Sequence, residues 1–200
     1  ASLGGPVLQR ACTHASGPYN YKNLDVHGVA LYTNNVPSGA YRGFGVTQSC
    51  FAIESAIDDL AEKLGMDPFE IRLKNVVKPG QILPNGQIAT SDCGITECME
   101  AVKDAYYASD RTGIALAMKN SGIGVGVPDT GRCTMSVEGG KIHLRTSAAC
   151  MGQGIATVAL QIAVETLGVD PDLIIVENPD TSRTPDSGTS TPSRQTAFTG

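Results

Sequence analysis

Thr47-Gln48-Ser49-Cys50-Phe51-Ala52-Ile53-Glu54-Ser55-Ala56-Ile57-Asp58-Asp59-Leu60-Ala61-Glu62-Lys63-Leu64 is the most regular stretch of the chain. Cys50, Ile53, Ile57, Leu60 and Leu64 recur at spacings of three and four, which gathers them on one face of a helix. Gly65 follows as a left-handed stop. Asp67-Pro68-Phe69-Glu70 then opens a second helix, with Asp67 as cap, Pro68 in the first turn and Glu70 at the capping-box position. That helix is expected to end near Asn75.

Working outward, a short helix is expected from Pro6 to Ala15, ended by Ser16-Gly17-Pro18. Residues 25–32 partly alternate and read as a strand, followed by a loop from Asn34 to Ala40. Downstream, Pro79 to Asp92 is a polar loop, and a helix is expected from about Thr96 to Tyr107. At Arg111 to Gly113 the text turns rich in Gly and β-branched residues. This is the expected boundary between a helix-rich part, 1–110, and a hairpin-helix-strand part, 111–200. Cys133–Val137 and Lys141–Thr146 flank Glu138-Gly139-Gly140 and read as a hairpin. A helix over Ile155–Leu167 and a strand over Leu173–Val176 follow. Helices and strands mix without a regular βαβ rhythm, so the class is α+β.

Composition narrows the function. The 200 residues carry 15 basic and 20 acidic side chains, a net charge of −5, and the basic residues form no run. That argues against nucleic acid or an anionic membrane surface as partner. No apolar stretch approaches the roughly 20 residues that span a bilayer. The six cysteines form no CxxC pair, as expected of a reduced, cytoplasmic protein with buried thiols. No side chain is assigned as a metal ligand. The chain starts at Ala1 and stops just after a segment rich in polar, functional-looking residues, so it reads as a piece of a longer protein.

Three glycine-bearing or hydroxyl-rich segments are candidates for chemistry. Gly39-Ala40-Tyr41-Arg42-Gly43-Phe44-Gly45 leads into the strong helix, where free N–H groups favour anions and Arg42 adds a planar, fixed positive charge. The alternative is a tight turn with a surface Arg. Met151-Gly152-Gln153-Gly154 also precedes a helix, and Gln153 offers donors and an acceptor suited to the edge of a heterocycle; a plain helix entrance is the equal alternative. The run from Asp186 to Thr196 reads equally as a linker or as a loop that binds phosphate or a polar ring.

Taken in order, Tyr41-Arg42-Gly43-Phe44-Gly45, Met151-Gly152-Gln153-Gly154 and Ser193-Arg194-Gln195-Thr196 resemble successive signatures of the molybdopterin-binding subunit of the xanthine dehydrogenase and aldehyde oxidase family of molybdenum hydroxylases. Leu64 to Asn75 resembles that family's helix linker, and Val176 to Thr181 the strand and turn before its pterin loop. The resemblance covers essentially the whole chain. It implies oxidative hydroxylation of an N-heteroaromatic substrate, purine-like or nicotinate-like, or of an aldehyde. Water supplies the oxygen, a Glu serves as base, and electrons leave through iron–sulfur clusters to FAD in other domains or subunits. The implied cofactor is molybdenum-molybdopterin, as such or in dinucleotide form, and the implied parent enzyme is oligomeric.

Residue by residue, the resemblance makes Arg42 the catalytic group that stabilises charge on the substrate. Gly43, Phe44 and Gly45 would lie by the cofactor. Gly152, Gln153, Gly154, Ser190, Ser193, Gln195 and Thr196 would contact the pterin or its phosphate. The family's base and its earlier cofactor segment have no counterpart here, so the 200 residues alone are expected to be inactive. Val76 and Val125 stand where purine-oxidising relatives carry two Phe, and Thr47 where a Pro is common. Other branches, such as carbon monoxide dehydrogenase or hydroxybenzoyl-CoA reductase, and a non-catalytic module of the same fold, are the alternatives.

Overall fold

The computed structural model describes residues 3–37, 39–83, 86–124 and 128–200. They form two compact units, Ala1–Lys119 and Asn120–Gly200. The division falls after the change in composition at residues 111–113. Ile114 and Leu116 still pack on the first unit's core, and Met118 packs on the adjoining cluster of Val77, Leu83 and Ala89. Apolar burial, not composition, sets the boundary. Among the described residues, no helix is long and apolar enough to cross a membrane.

The first unit holds α1 (Gly4–Thr13), α2 (Val46–Leu64), α3 (Pro68–Asn75) and α4 (Ile95–Tyr107). Asp67 caps α3 by accepting from the N–H groups of Phe69 and Glu70 at 2.8 and 3.1 Å, which satisfies two donors the helix cannot use itself. The core gathers Tyr19, Ile57, Ala61, Phe69, Ile71, Val76, Met99 and Leu116. Val76 is only 2% exposed and bridges Tyr19 in that core. Its side chain packs in this core, at a position expected from the resemblance to border the substrate. Val125 lies outside the described residues.

The buried face of α2 is rotated from the expected one. Val46, Glu54, Ile57 and Ala61 are buried, whereas Leu60 and Leu64 are 47% and 58% exposed. The reason is a buried ion pair. Arg72, on α3, donates from Nε to Glu54 Oε2 at 2.8 Å and from a terminal nitrogen to Asp58 at 2.8 Å. The Tyr19 hydroxyl donates to Glu54 Oε1 at 2.6 Å. Burial opposes the Arg72 charge, but its bonds to Glu54 and Asp58 prevail and raise its pKa. An apolar-periodicity reading does not count a carboxylate as a core residue, so it misplaces the stripe.

The strand expected over residues 25–32 is absent. The segment has no regular secondary structure, with Val29, Leu31 and Tyr32 at 64%, 78% and 99% exposure. Alternation defines two faces but not a partner, and none of the described residues supplies one.

The second unit holds β1 (Cys133–Glu138), β2 (Lys141–Thr146), α5 (Ile155–Leu167), β3 (Ile174–Val176) and α6 (Gln195–Phe198). β1 and β2 pair antiparallel from Cys133↔Thr146 to Glu138↔Lys141. Gly139 and Gly140 both have positive φ, 56° and 77°, as the two-residue type I′ hairpin turn requires. β2 and β3 are parallel, and α5 is the crossover that a parallel pair needs. The sheet order is β1-β2-β3. Leu144, Ala163 and Ile174 form the centre of the packing between sheet and α5. The class is α+β.

Candidate functional site

In the first unit, residues 42–45 make the tight turn that feeds α2. Gly43, Phe44 and Gly45 are all left-handed, with φ of 96°, 51° and 97°. Phe44 is the only non-glycine with positive φ among the described residues. Such a conformation costs a side chain on the order of 1–2 kcal/mol and is held by its surroundings. The Phe44 N–H donates to Tyr41 O at 2.7 Å, and Val46 N–H to Gly43 O at 3.1 Å. Gly45 is the packing point: a Cβ there would stand 2.2 Å from the Val7 carbonyl oxygen of α1. The close approach that glycine permits at this position is therefore to α1. No side chain caps α2, and Arg42 is exposed beside its N-terminus.

In the second unit, the Gly152-Gln153-Gly154 turn feeds α5, again without a side-chain cap. The Gln153 amide closes its own turn. It donates to Ala149 O at 2.9 Å and accepts from the Met151 N–H. A Cβ added at Gly152, Gly154 or Gly188 would meet nothing within 4 Å, so the backbone here borders open space. The nearby backbone N–H groups of Gly152, Gly154 and Ile155 pull the pKa of the Cys150 thiol below the ordinary thiol value. This is a convergence of donors suited to an anion.

The hydroxyl-rich run is neither a linker nor a free loop. Arg194, fully buried, holds it from inside. Its Nε donates to Asp129 Oδ1 at 2.5 Å, one terminal nitrogen to Ser187 O and Thr189 O at 3.3 and 3.1 Å, and the other to Thr130 O. The loop is then tied to the segment before the glycine turn. The Ser187 N–H donates to Ser147 Oγ at 3.0 Å, and the Ala149 N–H to Ser190 Oγ at 3.3 Å. The two sequence candidates of this unit are thus brought side by side.

Gln195 is also buried. Its amide donates to Ser190 O and accepts from the Thr199 hydroxyl, so it shapes the loop from behind. Ser193 and Thr196 are exposed. Thr191 Oγ1 is buried with no hydrogen-bond partner among the described residues. Arg194, Asp129, Ser187, Thr191 and Cys150 were not singled out by sequence reasoning. A lone Arg inside a Ser/Thr tract was the available signal for the first.

A second polar cluster lies on the sheet. One ligand atom from each of Glu138, His143 and Glu177 falls within 4.8 Å of the others, as metal ligands would. One terminal nitrogen of Arg145 stands 2.7 Å from Glu138 Oε1 and 2.6 Å from Glu177 Oε1. The guanidinium already holds the cation's place, so this cluster reads as an ion-pair network.

Comparison with known proteins gives these segments a context. Two family models match, both described as molybdopterin cofactor-binding domain, over residues 1–76 and 89–200. The chain is 37% identical over 99% of its length to a probable xanthine dehydrogenase subunit from Bacillus subtilis, of which it covers 28%. It is 34% identical over its whole length to the aldehyde oxidoreductase of Megalodesulfovibrio gigas, covering 24% of that protein. The aldehyde oxidoreductase structure from Desulfovibrio desulfuricans superposes with a TM-score of 0.80 at 28% identity, over 98% of this chain and 23% of that one. The chain spans about a quarter of these relatives. With both glycine turns and the Arg194-held loop lying inside the matched regions, the chain belongs to the molybdopterin cofactor-binding family of the molybdenum hydroxylases, a family of oxidoreductases.

Proposed function

We propose that this chain holds molybdenum-molybdopterin and faces the substrate in an enzyme that hydroxylates an N-heteroaromatic ring or an aldehyde, with water as the oxygen source. Bound there, the cofactor supplies the redox centre that takes two electrons from the substrate. Iron–sulfur and flavin domains or subunits would accept them in turn, in the cytoplasm.

The residues present fit the group. Gly152, Gly154 and Gly188 border open space at the backbone, and the uncapped start of α5 supplies N–H donors. Gly152, Gln153, Gly154, Ser190, Ser193 and Thr196 would hold the pterin or its phosphate. Gln195 would position Ser190 from behind. The observation that carries this reading is Thr191 Oγ1, a buried hydroxyl left without a partner among the described residues. Such a group is costly unless a ligand completes it. In the first unit, Arg42 would stabilise negative charge on the substrate, and Gly43 to Gly45 would lie against the cofactor.

The test uses the full-length protein, with molybdenum per chain and kcat measured together. Thr191→Val should lose molybdenum while the fold is kept. Arg42→Met should keep molybdenum and lower kcat more than it raises KM, by about a hundredfold. Full molybdenum in the first variant and unchanged kcat per molybdenum in the second would overturn the reading. A full-length protein that binds no molybdenum at all would instead be a non-catalytic module of this fold.

A further inference from the structure

Asn120-Ser121-Gly122-Ile123 makes a bend whose backbone N–H groups find acceptors outside it. The Ile123 N–H donates to the Asp129 carboxylate, with its nitrogen 3.1 and 3.0 Å from Oδ1 and Oδ2. The Gly122 N–H donates to the Ser193 carbonyl at 3.4 Å. Gly122 has a φ of 97°, and a Cβ there would stand 2.9 Å from Asp129 Oδ2 and 3.4 Å from the Phe198 ring. The bend is therefore pressed against both the carboxylate and the hydroxyl-rich loop, with no room for a side chain at its middle.

Asp129 also faces the loop from the other direction. Its Oδ1 accepts from Arg194 Nε at 2.5 Å, and Arg194 carries the grip on to the carbonyls of Ser187 and Thr189. One carboxylate thus reaches both ends of the loop, residues 187–189 through Arg194 and Ser193 through the bend. The Asp129 side chain is only 13% exposed, so water competes weakly for these bonds. The Arg194 guanidinium lies 5.8 Å from the Phe198 ring centroid, which closes the knot. A close-packed group of this kind shifts as a unit and does not deform by degrees.

We propose that Asp129 is a positioning residue that couples the bend at 120–123 to occupancy of the cofactor loop. The inference rests on the function proposed above. Once Thr191 Oγ1 is completed and the loop is stilled, Arg194 is fixed, and Asp129 with it. The Gly122 and Ile123 bonds then open less often. Linkage is reciprocal, so a bend that cannot close weakens the hold on the cofactor by the same factor. In this role Asp129 acts through Arg194 and Ile123, not on the cofactor itself. A plain structural ion pair makes no such link: the bend would open equally often with the loop filled or empty.

Hydrogen exchange on the full-length protein tests the coupling, read on peptides covering 120–124 and 187–191. Enzyme loaded with cofactor is compared with protein made in a host that produces no pterin. Loading should slow exchange at 120–124 by about tenfold. Asp129→Asn keeps the shape and should abolish that slowing. The same variant should release pterin about tenfold faster, followed by pterin fluorescence. Lower thermal stability with the slowing intact would leave Asp129 a structural residue only and overturn the proposal. Where the variant does not fold, the wild-type comparison decides: equal exchange at 120–124 in the two forms overturns it. A full-length protein that takes up no molybdenum overturns the proposed function and this inference together. One that takes up molybdenum while the bend stays unresponsive overturns this inference alone.

Discussion

Arg194 and Asp129 meet at 2.5 Å inside the second unit, sixty-five residues apart in sequence, and the same guanidinium binds three backbone carbonyls. The loop that carries Ser187 to Thr191 is hung on this one buried cation. Removing one partner of a buried ion pair strands the other, at a cost of about 3–5 kcal/mol. Arg194→Met should therefore lower the stability of the second unit by that amount in urea unfolding. Amide exchange over 187–191 should rise to the rate of an open loop. A stability change below about 1 kcal/mol would place the pair among weak surface bridges.

The first unit has its own buried centre in Glu54, Arg72 and Tyr19. Glu54→Gln keeps the shape but leaves Arg72 without its main counter-charge, and should cost about 3–5 kcal/mol. Tyr19→Phe removes only one donor and should cost about 1–2 kcal/mol. Thermal unfolding of the two variants gives the ratio. Equal losses would mean that the hydroxyl, not the ion pair, is the critical element.

Cys150 should be the thiol with a titration midpoint below the ordinary value of about 8.5. The cause is the set of backbone N–H groups near it, those of Gly152, Gly154 and Ile155. Iodoacetamide labelling against pH, read by peptide mass, gives the midpoint. Cofactor or a competing anion bound at the same donors should slow the labelling. A midpoint at or above the ordinary value would show that these N–H groups do not converge in solution.

Glu138 is held down to about 2, first by the Ser136 hydroxyl and then by Arg145. A depressed carboxyl contributes stability that is complete above its unfolded value of about 4.3. That contribution is lost as pH falls from there through the folded value. The hairpin should consequently loosen between about pH 4 and pH 2, and Glu138→Gln should remove that part of the acid response. Carboxyl chemical shifts measured by NMR follow Glu138 directly. A midpoint near the ordinary value would break the assigned bonds.

Much of the local structure was legible in the sequence because it rests on short-range chemistry. The Asp67-Pro68 start and the Gly65 stop set the two helices, and Gly139-Gly140 set the hairpin. The ordered glycine motifs gave the family. Long-range pairing was not legible. Residues 25–32 alternate as a strand would, but a strand exists only where another backbone meets it. The α2 stripe misled because Glu54 is buried by partners eighteen and thirty-five residues away. The site divided in the same way. The sequence determined which segments could bind, through their glycines, hydroxyls and Arg42. Only the tertiary structure decided that Val76 and Gln195 are turned inward, that Arg194 is a buried fastener, and that Thr191 is left without a partner. Burial and hydrogen-bond satisfaction depend on groups distant in sequence, and no local pattern encodes them.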